Sequence, residues 1–184
     1  MGPASKIAAG CMATLHVPCI RVTMKKSALP PRKISLLKGL LAGVAGGLAG
    51  SAAKIVAEKL FPPRTQGQPA PPALVVERVA HAAGEEPSET TKKVGAQGIH
   101  WGFGTMLGGV YGVAAELTPK VTSWRGSVFG LTVNRLAHEG LLPGLDLVEP
   151  VAEQPAQERV SEWVSHVIYG VTTELVRRAV RKRL

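Results

Sequence analysis

Apolar positions in this chain gather into four stretches, separated by polar links that carry prolines. The first, about 34–61, contains the run GLLAGVAGGLAGSAA from Gly39 to Ala53 and stops at Pro62-Pro63-Arg64. Proline has no N–H to give and crowds the preceding turn, so it ends the helix there. The second, 94–117, has Gln97, His100 and Glu116 as its strongly polar interruptions. At about 1.5 Å per residue a helix of that length crosses about 30 Å of hydrocarbon. The third, about 124–145, holds Asn134, Arg135, His138 and Glu139 and ends near Leu142-Pro143-Gly144. The fourth, about 159–180, holds Glu162, His166 and Glu174, and its polarity contrast is weak enough for a hydropathy window to pass over it. Residues 62–93 read as a polar loop with a short amphipathic patch, Leu74 to Ala83, suited to an interfacial or extramembrane helix.

The pattern predicts an all-α fold, a four-helix integral membrane bundle packed through glycine ladders. Gly39, Gly43 and Gly47 recur every fourth residue, as do Gly46 and Gly50, and Gly104, Gly108 and Gly112. Each interior glycine costs a water-soluble helix about 1 kcal/mol relative to alanine. In a bilayer the same spacing lets helix backbones approach where lipid offers no hydrophobic drive, between spans or between copies in a homo-oligomer. The competing architecture is a soluble Ala/Gly-rich helical protein, supported by the polar residues of the third and fourth stretches.

Charge orients the spans. Met1 to Lys38 carries seven basic residues and no acidic one, and Arg177, Arg178, Arg181, Lys182 and Arg183 close the chain. Lys120 and Arg125 flank the link between the second and third stretches, whereas Glu77, Glu85, Glu86, Glu89, Asp146, Glu149, Glu153 and Glu158 populate the other two loops. Four spans of a bacterial cytoplasmic membrane with both termini cytoplasmic satisfy the positive-inside rule at every loop. The basic blocks abut apolar segments and come with no nucleic-acid motif, so nucleic acid is not the expected partner; the lipid bilayer is. Residues 1–33 read as a basic, disordered tail, with Met24-Lys25-Lys26 resembling a natural start. Cys11 and Cys19 do not make a disulfide scaffold or a zinc pattern. AAGC at Ala8 to Cys11 lacks the apolar run that a lipoprotein signal needs.

That topology puts Lys54, Glu58, His100, Arg135, His138, Glu139, Glu162 and His166 in the outer half of the membrane, and Glu116 and Glu174 near the inner face. Lys54 and Glu58, Arg135 and Glu139, and Glu162 and His166 are each four apart, hence on one helix face. Charged groups at such depth pair with one another or line a wet cavity. Glu58, His100, His138, Glu162 and His166 form the expected cluster. It suits a divalent metal such as zinc, iron or manganese, or a proton pathway, since imidazole titrates near neutral pH and is the commonest metal ligand. No HExxH or GxSxG motif accompanies it, so no catalytic residue is assigned. A membrane-embedded metalloenzyme, and a structural or assembly role in which the charges are interhelical glue, stay open beside these readings.

AEKLFPPR at Ala57 to Arg64, GIHWGFGTMLGGVYGVAAELTPK at Gly98 to Lys120, LAHEGLLPGL at Leu136 to Leu145 and SEWVSHVIYGVTTELVRRAVRKR at Ser161 to Arg183 follow one another in this order. In order and spacing they resemble the YagU-like family of uncharacterised bacterial inner-membrane proteins. The resemblance implies a multi-span inner-membrane protein of unassigned activity, with motif positions at Glu58, Arg64, His100, Glu116, His138, Glu162, His166, Glu174 and Arg178. Arg135 and Glu139 are less typical of it. Arg64 and Arg178 are expected as interface anchors.

Overall fold

The computed structural model describes residues 34–64 and 68–184, all of whose regular elements are helices. The expectations for residues 1–33, Met24 as a start among them, lie outside the described residues. Helix α1 runs Leu36–Leu60, capped by Ser35, whose hydroxyl accepts the Lys38 N–H. Helix α2, Pro71–Ala82, falls within the polar loop and opens on two prolines, which suit a first turn, where a backbone N–H would find no acceptor. Helix α3 is Glu89–Leu117, with Ser88 accepting the Thr91 N–H at 3.1 Å. A 3₁₀ stretch, Pro119–Gly126, leads into α4, Ser127–Leu136. A π-helical turn, Ala137–Leu141, and the short α5, Leu142–Gly144, continue α4, and α6 closes the fold over Ala156–Arg181.

The third apolar stretch is therefore not one regular helix over 124–145. Trp124 and Arg125 stand in left-handed conformation at φ 51° and 54° and belong to the link. Further on, Pro143 cannot donate to the Glu139 carbonyl and crowds it, and the backbone widens into the π turn just ahead of that proline. His138 sits in this turn. The second stretch also begins earlier than its apolar pattern, at Glu89, because Ser88 supplies the cap.

Helix α1 packs against α3 on one side and α6 on the other; α6 also holds α4, and α2 lies on α3. These contacts are backbone-close. A Cβ at Gly43 would stand 2.8 Å from the Gly112 Cα, and one at Gly170 would stand 2.9 Å from the Gly130 Cα. Tyr111 of α3 stacks on Phe129 of α4 at 4.2 Å between ring centroids, and the Tyr169 hydroxyl of α6 donates to the Gly104 carbonyl at 2.6 Å.

Polarity is distributed in the reverse of a water-soluble fold. The largest fully buried side chains are Glu174, Asn134, Thr173, Ser51 and Ser165, while Leu37, Val56, Met106, Val110, Leu131 and Leu175 are exposed. Helix α6 shows this most clearly. Its buried face carries Ser161, Glu162, Ser165, His166, Thr173, Glu174 and Arg177, and Trp163, Val164 and Leu175 point outward. Among the described residues α1 is the helix long and apolar enough by composition to cross a membrane.

Candidate functional site

Glu162, in the second turn of α6, is the hub of a charged cluster. Lys54 and Glu58, one turn apart near the end of α1, form an ion pair, and Lys54 Nζ also stands 3.4 Å from Glu162 Oε2. Beyond the Pro62-Pro63 turn, Arg64 Nη2 reaches Glu162 Oε1 at 3.2 Å. Lys54 and Glu162 each keep only 9% of their side-chain surface exposed, so neither charge is met by bulk water. Mutual pairing is what makes such burial tolerable.

Two histidines close on the same carboxylate. His138 Nδ1 lies 3.5 Å from Glu162 Oε1, and His166 Nδ1 lies 3.5 Å from Oε2. The two rings meet edge to face, 4.9 Å between centroids. One ligand atom from each of His138, Glu162 and His166 falls within 4.8 Å of the others. His166 Nδ1 is also 2.7 Å from the Glu162 backbone carbonyl, which can only accept, so this nitrogen carries the proton and Nε2 is left with its lone pair. The widened π turn sets the position of His138 against these α6 groups.

Not every expected member joins. His100 shares the surrounding cavity, but its Nε2 lies 3.4 Å from the Ser51 carbonyl oxygen, and it stands outside the three-residue group of close donors. The expectation that three imidazoles meet is corrected to two. Helix α3 contacts α1 directly at Ser51, because a Cβ at Gly104 would already press on that side chain. Arg64, expected as an interface anchor, turns inward to Glu162 instead, and Glu58 takes its place through Lys54. Arg135 and Glu139 pair at 2.6 Å, and Glu139 additionally accepts from Trp163 Nε1 at 2.8 Å.

The cluster borders a half-open cavity of about 460 Å³ lined by residues of α1, α2, α3, α4 and α6. Apart from Lys59, its charged lining is gathered in the mutually paired group around Glu162, and much of the remaining wall is apolar, from residues such as Ile55, Val75, Phe103 and Leu107. Helix α2 covers one side of it and is fastened there: Lys92 Nζ of α3, which also pairs with Glu89 of its own helix at 3.0 Å, bonds Glu77 of α2 at 2.6 Å, and Arg78 donates to the carbonyls of Leu145 and Asp146. The hydrogen bonds that the Lys92 ammonium donates to both carboxylates, Glu77 foremost, raise it above its ordinary pKa.

At the opposite end of the helices a second set is fully paired. Glu174 accepts from Arg177 Nε at 2.6 Å and from Arg178, and Glu116 accepts from Arg181 Nε at 2.8 Å and from the Ser35 N–H at 3.3 Å. Arg178, read from sequence as an interface anchor, is the second cation on Glu174.

Residues 48–175 match the model of a family described as protein of unknown function DUF1440. The chain belongs to this family. The matched span takes in Lys54, Glu58, Arg64, His100, His138, Glu162 and His166, which makes the cluster and its cavity part of the DUF1440 region. The chain is also similar to the inner membrane protein YagU of Escherichia coli strain K12, 32% identical over 74 residues. That match spans 40% of this chain and 36% of the relative. No solved structure matches.

Proposed function

We propose that this DUF1440 protein is a four-span protein of the bacterial inner membrane, both termini cytoplasmic, whose His138, Glu162 and His166 bind a divalent transition-metal ion. The observation that carries the metal reading is the approach of three donor atoms to within 4.8 Å, from two separate elements. Two imidazoles and a carboxylate suit zinc, iron, cobalt or manganese. His166 is oriented as ligating histidines commonly are, with Nδ1 bonded to a carbonyl and Nε2 available. Lys54 has Glu58 as a second partner, so Glu162 can turn one oxygen to a metal without leaving the ammonium unpaired. Neither the donor set nor the cavity assigns a catalytic step, and a binding role is the narrower reading.

The membrane placement rests on the similarity to an inner membrane protein, on exposed apolar side chains around a polar interior, and on glycine contacts that bring α1 onto α3. Reporter fusions after Leu145 and after Leu184 are expected to report opposite sides of the membrane. Finding both on one side rejects the four-span arrangement.

Titration of the metal-stripped, purified protein with Co²⁺ is expected to show one saturable site per chain, lost in His138→Ala and in His166→Ala. No saturable site in the folded parent rejects the metal reading. The edge-to-face approach of His138 and His166 beside Glu162 then favours the second reading, proton transfer through the cluster. Proton flux into proteoliposomes that is unaltered by the His138→Ala/His166→Ala double variant rejects that one in turn.

A further inference from the structure

The cavity carries an inference that does not depend on whether a metal sits at its floor. Its volume, about 460 Å³, lies in the range of small-molecule sites. Around the paired cluster its walls are hydrocarbon: Ile55 of α1, Val75 of α2, Phe103 and Leu107 of α3, Val133 of α4 and Leu141 of the π turn. Three cations, Lys54, Lys59 and Arg64, line it against two carboxylates, Glu58 and Glu162. Lys54 and Arg64 are committed to those carboxylates. Lys59, one residue past Glu58 and exposed on the last turn of α1, forms no ion pair among the described residues and leaves the lining with an excess positive charge.

We propose that this cavity binds a single-chain amphiphile with an anionic head, its acyl chain against the apolar walls and its head beside Lys59. Apolar walls reward the chain by the area they remove from water, roughly 25 cal/mol per Å², and the surplus cation selects the sign of the head. The same chemistry describes a free long-chain carboxylate and a lysophospholipid with an acidic head.

The test is displacement of a fluorescent undecanoate from the full-length protein in phosphatidylcholine nanodiscs, with a chelator present throughout so that bound metal plays no part. Competitors share one chain length: dodecanoate, dodecanol and dodecylamine. Dodecanoate is expected to displace the probe at a concentration about tenfold lower than the other two. Leu107→Trp, which fills the cavity, is expected to abolish saturable binding, and Val75→Trp on α2 serves if that variant does not fold. Lys59→Glu is expected to weaken dodecanoate while leaving dodecanol unchanged. Lysophosphatidylglycerol competing better than dodecanoate assigns the ligand to the membrane lipids, and the reverse order assigns it to free fatty acids. Equal competition by all three heads, or binding that survives a folded Leu107→Trp or Val75→Trp variant, overturns the proposal.

Discussion

His166 Nδ1 stands 2.7 Å from the backbone carbonyl oxygen of Glu162, one turn earlier in α6. The bond fixes the ring and settles which nitrogen is bare. Asparagine at this position keeps an N–H donor at the place of Nδ1 and has nothing at the place of Nε2. His166→Asn is therefore expected to melt close to the parent while its Co²⁺ affinity falls at least about tenfold. Calorimetric titration and a melting curve on the same preparation check this; an affinity unchanged from the parent places the metal elsewhere.

Glu162 neutralises two cations from different parts of the chain, Lys54 and Arg64. Removing one member of a buried pair strands the others, at a cost of about 3 kcal/mol or more. Glu162→Gln is expected to lower thermal stability accordingly in detergent, and a second change, Lys54→Met, to restore part of it. A double variant no more stable than Glu162→Gln shows that Lys54 is not what Glu162 balances.

Gly43 meets the Gly112 backbone so closely that no side chain fits between them. Gly43→Ala is expected to destabilise by about 1–3 kcal/mol, the usual cost of overpacking. Gly98 has nothing within 4 Å of where a Cβ would stand. Gly98→Ala is the matched control, expected to be neutral or slightly stabilising by helix propensity. Equal melting of the two variants contradicts the α1–α3 contact.

Lys92, in the first turn of α3, fastens α2 through Glu77 and also pairs with Glu89 of its own helix. Its bonds to them raise the Lys92 pKa, and Lys92 lowers that of Glu89. A carboxyl whose folded pKa is depressed stabilises above its unfolded value, and that contribution is lost as pH falls through the folded one. Amide hydrogen exchange in the first turn of α3 is thus expected to be flat across neutral and alkaline pH, and to rise on acidification below the ordinary carboxylate range. Lys92→Met is expected to remove this pH dependence and, by breaking the bond to Glu77, to raise protease cleavage of α2.

The helices were largely legible because proline, serine and the apolar runs mark their limits; Pro62-Pro63 and Pro119 stand just beyond α1 and α3. The face partners Lys54–Glu58 and Glu162–His166 followed from the four-residue spacing alone. What periodicity could not reveal was rotation about the helix axes. His100 shares an approximate depth with the other histidines, yet glycine contacts set the azimuth of α3 against α1 and turn its imidazole to the Ser51 carbonyl. Arg64 follows the helix end, and nothing in the sequence pattern says that the two-proline turn directs it back to Glu162 rather than to an interface. The π turn left a cue in Pro143, but a cue to irregularity does not say where the widened backbone carries His138.

The inverted lining of α6 bears on how the chain is assembled. A helix with Glu162, His166, Glu174 and Arg177 along one side has no lipid-compatible face there until α1 is beside it. In the four-span arrangement it enters the bilayer as a late guest, received by helices already in place rather than by the lipid itself. Its membrane integration then depends on the identity of residues far upstream, Lys54 and Arg64 for the first turns, and synthesis in N-to-C order delivers those hosts before the guest.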